Sequence, residues 1–120
     1  MASLKDSMDR LQEIDGFIGA AVVDSNSGMM LGSLGGGPIN LEVAAAGNTE
    51  VVRSKTRVMS QLKLNDSIED ILITLGRQYH LIRPLSSNDA LFIYVVLDKS
   101  KANLAMARYQ LSAIEKELVV

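Results

Sequence analysis

Ala90-Leu91-Phe92-Ile93-Tyr94-Val95-Val96-Leu97 carries no charge, and every residue from Phe92 to Val96 is aromatic or β-branched. Such a run favours a β-strand. Because both of its faces are apolar, both must be covered. Phe17-Ile18-Gly19-Ala20-Ala21-Val22-Val23 has the same two-sided character. Two strands of this kind belong at the centre of a sheet with a helical layer on each side. Outward from them, Ser25-Asn26-Ser27-Gly28 reads as a turn leading to a short strand over Met29 to Ser33. Ile68 to Leu75 and Tyr79 to Leu85 read as two more strands, joined by Gly76-Arg77-Gln78 and followed by the turn Ser86-Ser87-Asn88-Asp89. Pro84 falls near the end of its strand, where a missing N–H does least harm.

The helices follow from caps and periodicity. Ser3-Leu4-Lys5-Asp6 outlines a capping box, and Leu4, Met8, Leu11 and Ile14 recur at helical spacing until Asp15-Gly16. The glycine-rich Gly32 to Pro38 punctuates the chain. A long helix is expected from Leu41 to Leu64, broken by Asn65-Asp66. Asp98 or Ser100 can cap a last helix in which Leu104, Ala107, Leu111, Ile114 and Leu118 share one face. The order is therefore α-β-β-α-β-β-β-α. Tight links make neighbouring strands antiparallel. The prediction is a three-layer α/β/α sandwich around a five-stranded, mainly antiparallel sheet, ordered second–first–fifth–fourth–third. The terminal helices lie on one face and the middle helix on the other, in one domain over residues 3–118.

Composition narrows the function. The 120 residues are 48% hydrophobic and 22% charged, enough to fold around an ordinary core. Twelve Lys and Arg against fourteen Asp and Glu leave a net charge of -2, which provides no basic field for nucleic acid. With no Cys and a single His, His80, the chain has no thiol chemistry, no Cys metal site and almost no acid–base repertoire near neutral pH. No catalytic residue, cofactor or metal is expected. Nor do Lys5, Asp6, Asp9 and Arg10 leave room for a signal-peptide core, and no apolar run approaches the roughly 20 residues of a spanning helix. Residue 2 is Ala rather than the Gly that myristoylation needs. A cytoplasmic interaction domain is the expectation.

Tempting motifs fail on inspection. Gly32-Ser33-Leu34-Gly35-Gly36-Gly37 precedes a helix but has Pro38 and Ile39 where a phosphate loop needs its Lys. Asp24-Ser25-Asn26-Ser27-Gly28 starts like a calcium loop, yet its Gly comes one position early and no bidentate Glu follows. His80 has no nucleophile or orienting carboxylate beside it and reads as a surface or edge residue.

The middle helix is more informative. Projected at about 100° per residue, Leu41, Ala44, Ala45, Gly47, Val51, Val52, Val58, Met59 and Leu62 occupy an arc of roughly 160°, wider than the stripe of about 100° that packing on one sheet requires. The excess predicts a second surface, most simply the same helix of another copy. Small residues Ala44, Gly47 and Ser54 would allow close approach. Asn48 and Lys55 sit inside the arc, where a shared seam could partner both and set register. In a monomer Lys55 would instead lie along Leu62 and Val51 to reach water. The other side of the helix carries Glu42, Glu50, Arg53, Arg57 and Gln61 and reads as a solvated or partner-docking face. The Ile68–Leu75 edge strand, rich in Ile71, Leu72 and Ile73 and free of Pro, invites pairing with its own copy. Pairing about a two-fold axis would extend the sheet and join the two middle helices, so a homodimer is expected through Ala44, Gly47, Asn48, Val51, Ser54, Lys55, Val58, Ile71 and Ile73.

The opening helix leading into Gly16-Phe17-Ile18-Gly19-Ala20-Ala21-Val22-Val23-Asp24, the Gly28 hairpin, the long middle helix and the closing Asn103-Leu104-Ala105-Met106-Ala107-Arg108 together resemble the roadblock (dynein light chain) family, over about Ser3 to Leu118. That resemblance implies a non-enzymatic dimer that docks on a small Ras-like GTPase or a motor complex, as bacterial regulators of polarity and motility GTPases do, some as GTPase activators. If hydrolysis is activated, Arg53 or Arg57 are the candidate arginine fingers. A finger normally comes from a loop, however, so reshaping the partner's switch loops is the expected route. The competing expectation is a sensory or scaffold domain that binds a small ligand or a second roadblock-like chain, which rests on fold analogy.

Overall fold

The computed structural model describes residues 1–120. In chain order the elements are α1 (Leu4–Leu11), β1 (Phe17–Asp24), β2 (Met29–Gly35), α2 (Leu41–Gln61), β3 (Ile71–Thr74), β4 (Gln78–Pro84), β5 (Leu91–Asp98) and α3 (Leu104–Glu117). The sheet runs β2-β1-β5-β4-β3, with every neighbouring pair antiparallel. Both two-sided apolar strands are central, as their sequences demand. Ala20 to Val23 and Leu91 to Leu97 are buried throughout.

Alternation along these strands divides the interior in two. Ala20, Val22, Ile93, Val95 and Leu97 point toward α1 and α3, meeting Met8, Leu11, Ala107, Leu111, Ile114 and Leu118. Ala21, Val23, Phe92, Tyr94 and Val96 point the other way and meet Leu41, Ala45 and Val52 of α2. The result is the three-layer α/β/α sandwich.

Several boundaries differ from the sequence expectation, each for a local reason. Helix α1 stops at Leu11, although Ile14 just beyond it is still buried. Strand β2 continues past Ser33 into the glycine-rich stretch. There Gly35 has φ +68°, and a Cβ on it would meet the Ile18 carbonyl at 2.6 Å, so glycine is what lets the edge strand close on β1. Helix α2 ends at Gln61 rather than Leu64, with Lys63 turning left-handed at φ 58°. The cap of α3 is Asn103, whose side chain accepts from the Met106 N–H, while Asp98 and Ser100 bond each other instead.

The largest correction is β3, which spans four residues rather than Ile68–Leu75. Ile71 pairs with Ile82, so Glu69 would face Pro84. Leu75 N–H donates to the Gln78 carbonyl at 2.9 Å, so Gln78, His80, Ile82 and Pro84 turn their backbone groups toward β3. Pro84 has no N–H to offer, and the ladder stops there. Asp70 is meanwhile held by Arg108 of α3 at 3.0 Å.

A candidate interaction surface on the α2 face

Helix α2 covers only part of its face of the sheet. It packs most extensively on β1 and β2, and its far flank is tied to the β1–β2 hairpin by Arg53, which donates to the Asn26 carbonyl at 2.6 Å. Leu41, Ala45, Thr49 and Val52 are the buried residues of α2. Thr49 was not legible as a core residue. Its hydroxyl donates to the Ala45 carbonyl at 2.8 Å, which removes the cost of burying it.

The remaining apolar arc is exposed or half-exposed. Val58 keeps 41% and Leu62 61% of its surface. Ser54 and Lys55 are exposed, Ala44, Asn48 and Val51 are half-buried, and a Cβ on Gly47 would meet nothing within 4 Å. The excess width of the arc therefore corresponds to a real flank of α2 facing solvent. Beside it lies the uncovered part of the sheet, where Ile71 and Ile73 of β3 are half-buried.

A polar chain joins the two. The Tyr94 hydroxyl lies 3.0 Å from His80 Nδ1, and His80 Nε2 lies 2.9 Å from Gln78 Oε1. The amide oxygen of Gln78 can only accept, so Nε2–H donates to it and Nδ1 accepts from Tyr94. The Asn48 side chain on α2 lies near the same Tyr94 hydroxyl. Burial lowers the His80 pKa and keeps the ring neutral, as this arrangement requires. Burial likewise raises the Tyr94 pKa, opposed by the nearby Asn48 side chain. His80 is thus a half-buried, hydrogen-bonded residue rather than a surface one, and it pairs across the ladder with Ile73. Asn48, Tyr94, His80 and Ile73 form a continuous line from the α2 flank to the sheet edge.

The charged side of α2 is arranged differently. Arg53 also lies 3.5 Å from Glu50, and Arg57 donates to Ser54 Oγ at 3.3 Å. Glu42 stands by Gly28, Met29 and Met30 at the hairpin. A cleft of about 500 Å³ opens behind Arg53 and Arg57, walled by Ser25, Ser67 and Asp89. Both arginines are on a rigid helix and Arg53 is held at both ends of its guanidinium, unlike a mobile finger. No group of three or more His, Cys, Asp or Glu is placed to hold a metal ion, and no helix is long and apolar enough to cross a membrane.

This architecture is the roadblock/LC7 fold. The chain is similar in structure to MglB of Myxococcus xanthus, with a TM-score of 0.82 at 16% identity over 93% of this chain and 81% of that one. It also matches a Roadblock/LC7 domain from Streptomyces avermitilis, with a TM-score of 0.80 at 12% identity over 96% and 93%. The gliding protein MglB of Thermus thermophilus gives 0.71 at 14% identity over 94% and 88%. No protein-family model matches the sequence, and no curated protein matches it.

Proposed function

We propose that this chain is a non-enzymatic, homodimeric regulator that docks on a small Ras-like GTPase. The observation that carries the dimer is the pairing of two unfinished surfaces on one face: the apolar flank of α2 at Val51 and Val58, and the open edge at Ile71 and Ile73. Each is a liability alone. A second copy related by a two-fold axis covers both at once, with Ala44, Gly47 and Ser54 letting the helices approach and Asn48 and Lys55 along the seam.

The GTPase rests on the likeness to MglB, a gliding protein in Thermus thermophilus, and on the family resemblance of the sequence. Paired α2 helices would present Glu42, Glu50, Arg53 and Arg57 to the partner. With Arg53 anchored to Asn26 and Glu50, the supported mode of action is contact with the partner's switch loops rather than insertion of a finger.

Capture from native lysate on the immobilised chain, with and without a non-hydrolysable GTP analogue, tests this. Enrichment of a Ras-sized GTPase with the analogue supports the reading, and a hydrolysis assay on that partner then separates activation from scaffolding. Capture that ignores the nucleotide overturns it.

A further inference from the structure

The geometry points to one register for the shared sheet, centred on Ile73 and locked at each end by Glu69 against the partner's Arg77. This inference rests on the dimer reading above. A two-fold axis that joins two β3 edges and brings both α2 helices to one face runs perpendicular to the sheet. Residues directly opposite one another then share a face, so the central residue of β3 must oppose its own copy.

Three observations choose which residue that is. The first is the ladder. Leu75 bonds to Gln78, so Ile71, Ile73 and Leu75 turn their backbone groups inward to β4, and Leu72 and Thr74 turn theirs to the free edge. Centred on Ile73, Leu72 of each copy faces the partner's Thr74, and every outward N–H and C=O of both residues finds a mate. Centred on Leu72, Thr74 would face the partner's Asp70, whose side chain is already held by Arg108.

The second observation is the side-chain row. Alternation places Ile71 and Ile73 on the α2 face, Leu75 continues the row opposite Gln78, and Glu69 and Arg77 flank it just outside the strand. Read against its own reverse about Ile73, this row sets Ile73 on its copy and Ile71 on the partner's Leu75. Leu75, 43% exposed in one chain, is covered. A shift to Leu72 puts Glu69 against the partner's Leu75, and a shift to Thr74 puts Arg77 against the partner's Ile71. Only the Ile73 register matches apolar with apolar throughout.

The third is charge. Glu69 and Arg77 are both exposed, and neither has an ion-pair partner within the chain. Arg77 sits at the tip of the β3–β4 hairpin, next to which the same register delivers the partner's Glu69. The two-fold axis repeats the pair, so each dimer contains it twice, and the pairs set which copies may join.

Charge reversal tests this by sedimentation over a concentration series. Glu69→Arg and Arg77→Glu, each checked for a native circular dichroism spectrum, should each weaken self-association about ten- to a hundredfold, because two exposed pairs turn from attraction to repulsion. The double variant E69R/R77E should recover the wild-type dissociation constant. An equimolar mixture of the two single variants should form a heterodimer in preference to either homodimer. Single variants that associate like wild type, or a double variant that does not recover, overturn the register while leaving the dimer standing. A wild-type chain that stays monomeric at the highest concentration reached overturns the dimer and the register together.

Discussion

The two faces of the sheet are built to different degrees of completion. The face under α1 and α3 holds fifteen buried apolar residues from two helices, three strands and the flanking positions Ile14, Leu85 and Leu118. The face under α2 holds nine, all of them within the reach of one helix. On the first face the helical cover matches the sheet's width. On the second a single helix sits mainly over β1 and β2, and toward β3 the face is left to the half-buried His80 and Gln78, which hydrogen-bond each other and the buried Tyr94. One face is closed within the chain, and the other leaves apolar surface of α2 and β3 open.

The contrast can be broken from either side. Leu111 is 1% exposed on the closed face. Leu111→Ala should cost about 2–5 kcal/mol, read as a lower urea midpoint that does not depend on protein concentration when self-association is absent. Val58 lies on the open flank. Val58→Glu should leave the monomer's far-ultraviolet spectrum and cooperative unfolding in place while abolishing self-association. The wild-type urea midpoint should rise with protein concentration, and the variant's should not. If Val58→Glu unfolds the chain instead, the two faces are not separable.

A further test concerns how the closed face is pinned. Glu115, 1% exposed, lies near the C-terminal end of α3 and accepts from Arg83 Nε at 2.9 Å, Ser86 N–H at 3.0 Å and Ser86 Oγ at 2.8 Å. Burial by itself would raise its pKa, but the Ser86 N–H, Arg83 and the Ser86 hydroxyl together hold it below the ordinary value of 4.5. The unfolded chain therefore binds the proton more readily. This contribution to stability is complete above about pH 4.5 and is lost as pH falls through the folded value. Urea midpoints measured across that window should fall less steeply in Glu115→Gln than in wild type. Equal acid slopes would show that the carboxylate is not responsible.

The smallest expected effect is at Ser7, fully buried in α1 with a hydroxyl that has no hydrogen-bond partner. Ser7→Ala removes an unsatisfied group and should be neutral or stabilising by up to about 1 kcal/mol. A loss of stability would reveal a partner for that hydroxyl.

Much of this was legible in the residues. Unbroken apolar runs at Phe17–Val23 and Ala90–Leu97 can only be central strands, and helices on both sides follow from them. The surplus width of the α2 stripe showed that this helix has more apolar surface than one sheet needs. Other features depend on distant partners and left no local trace. His80 looked like a surface residue because Tyr94 and Gln78 approach it only when β4 and β5 pair. Glu115 gave no signal because its bond donors, Arg83 and Ser86, are more than twenty-five residues away in sequence. Asp98, Ser100 and Asn103 are equally capable caps by residue type, and the geometry of the turn selects Asn103.

By itself the sequence determined the order of elements, the sheet order and the two-layer helical cover, because hydrophobic periodicity and turn chemistry are local and reach only a few residues. The tertiary structure alone decided the length of β3, where Pro84 across the ladder ends the pairing. It also decided which side of α2 is spent on the sheet and which is left open, since periodicity measures how much apolar surface a helix has and only packing decides what covers it.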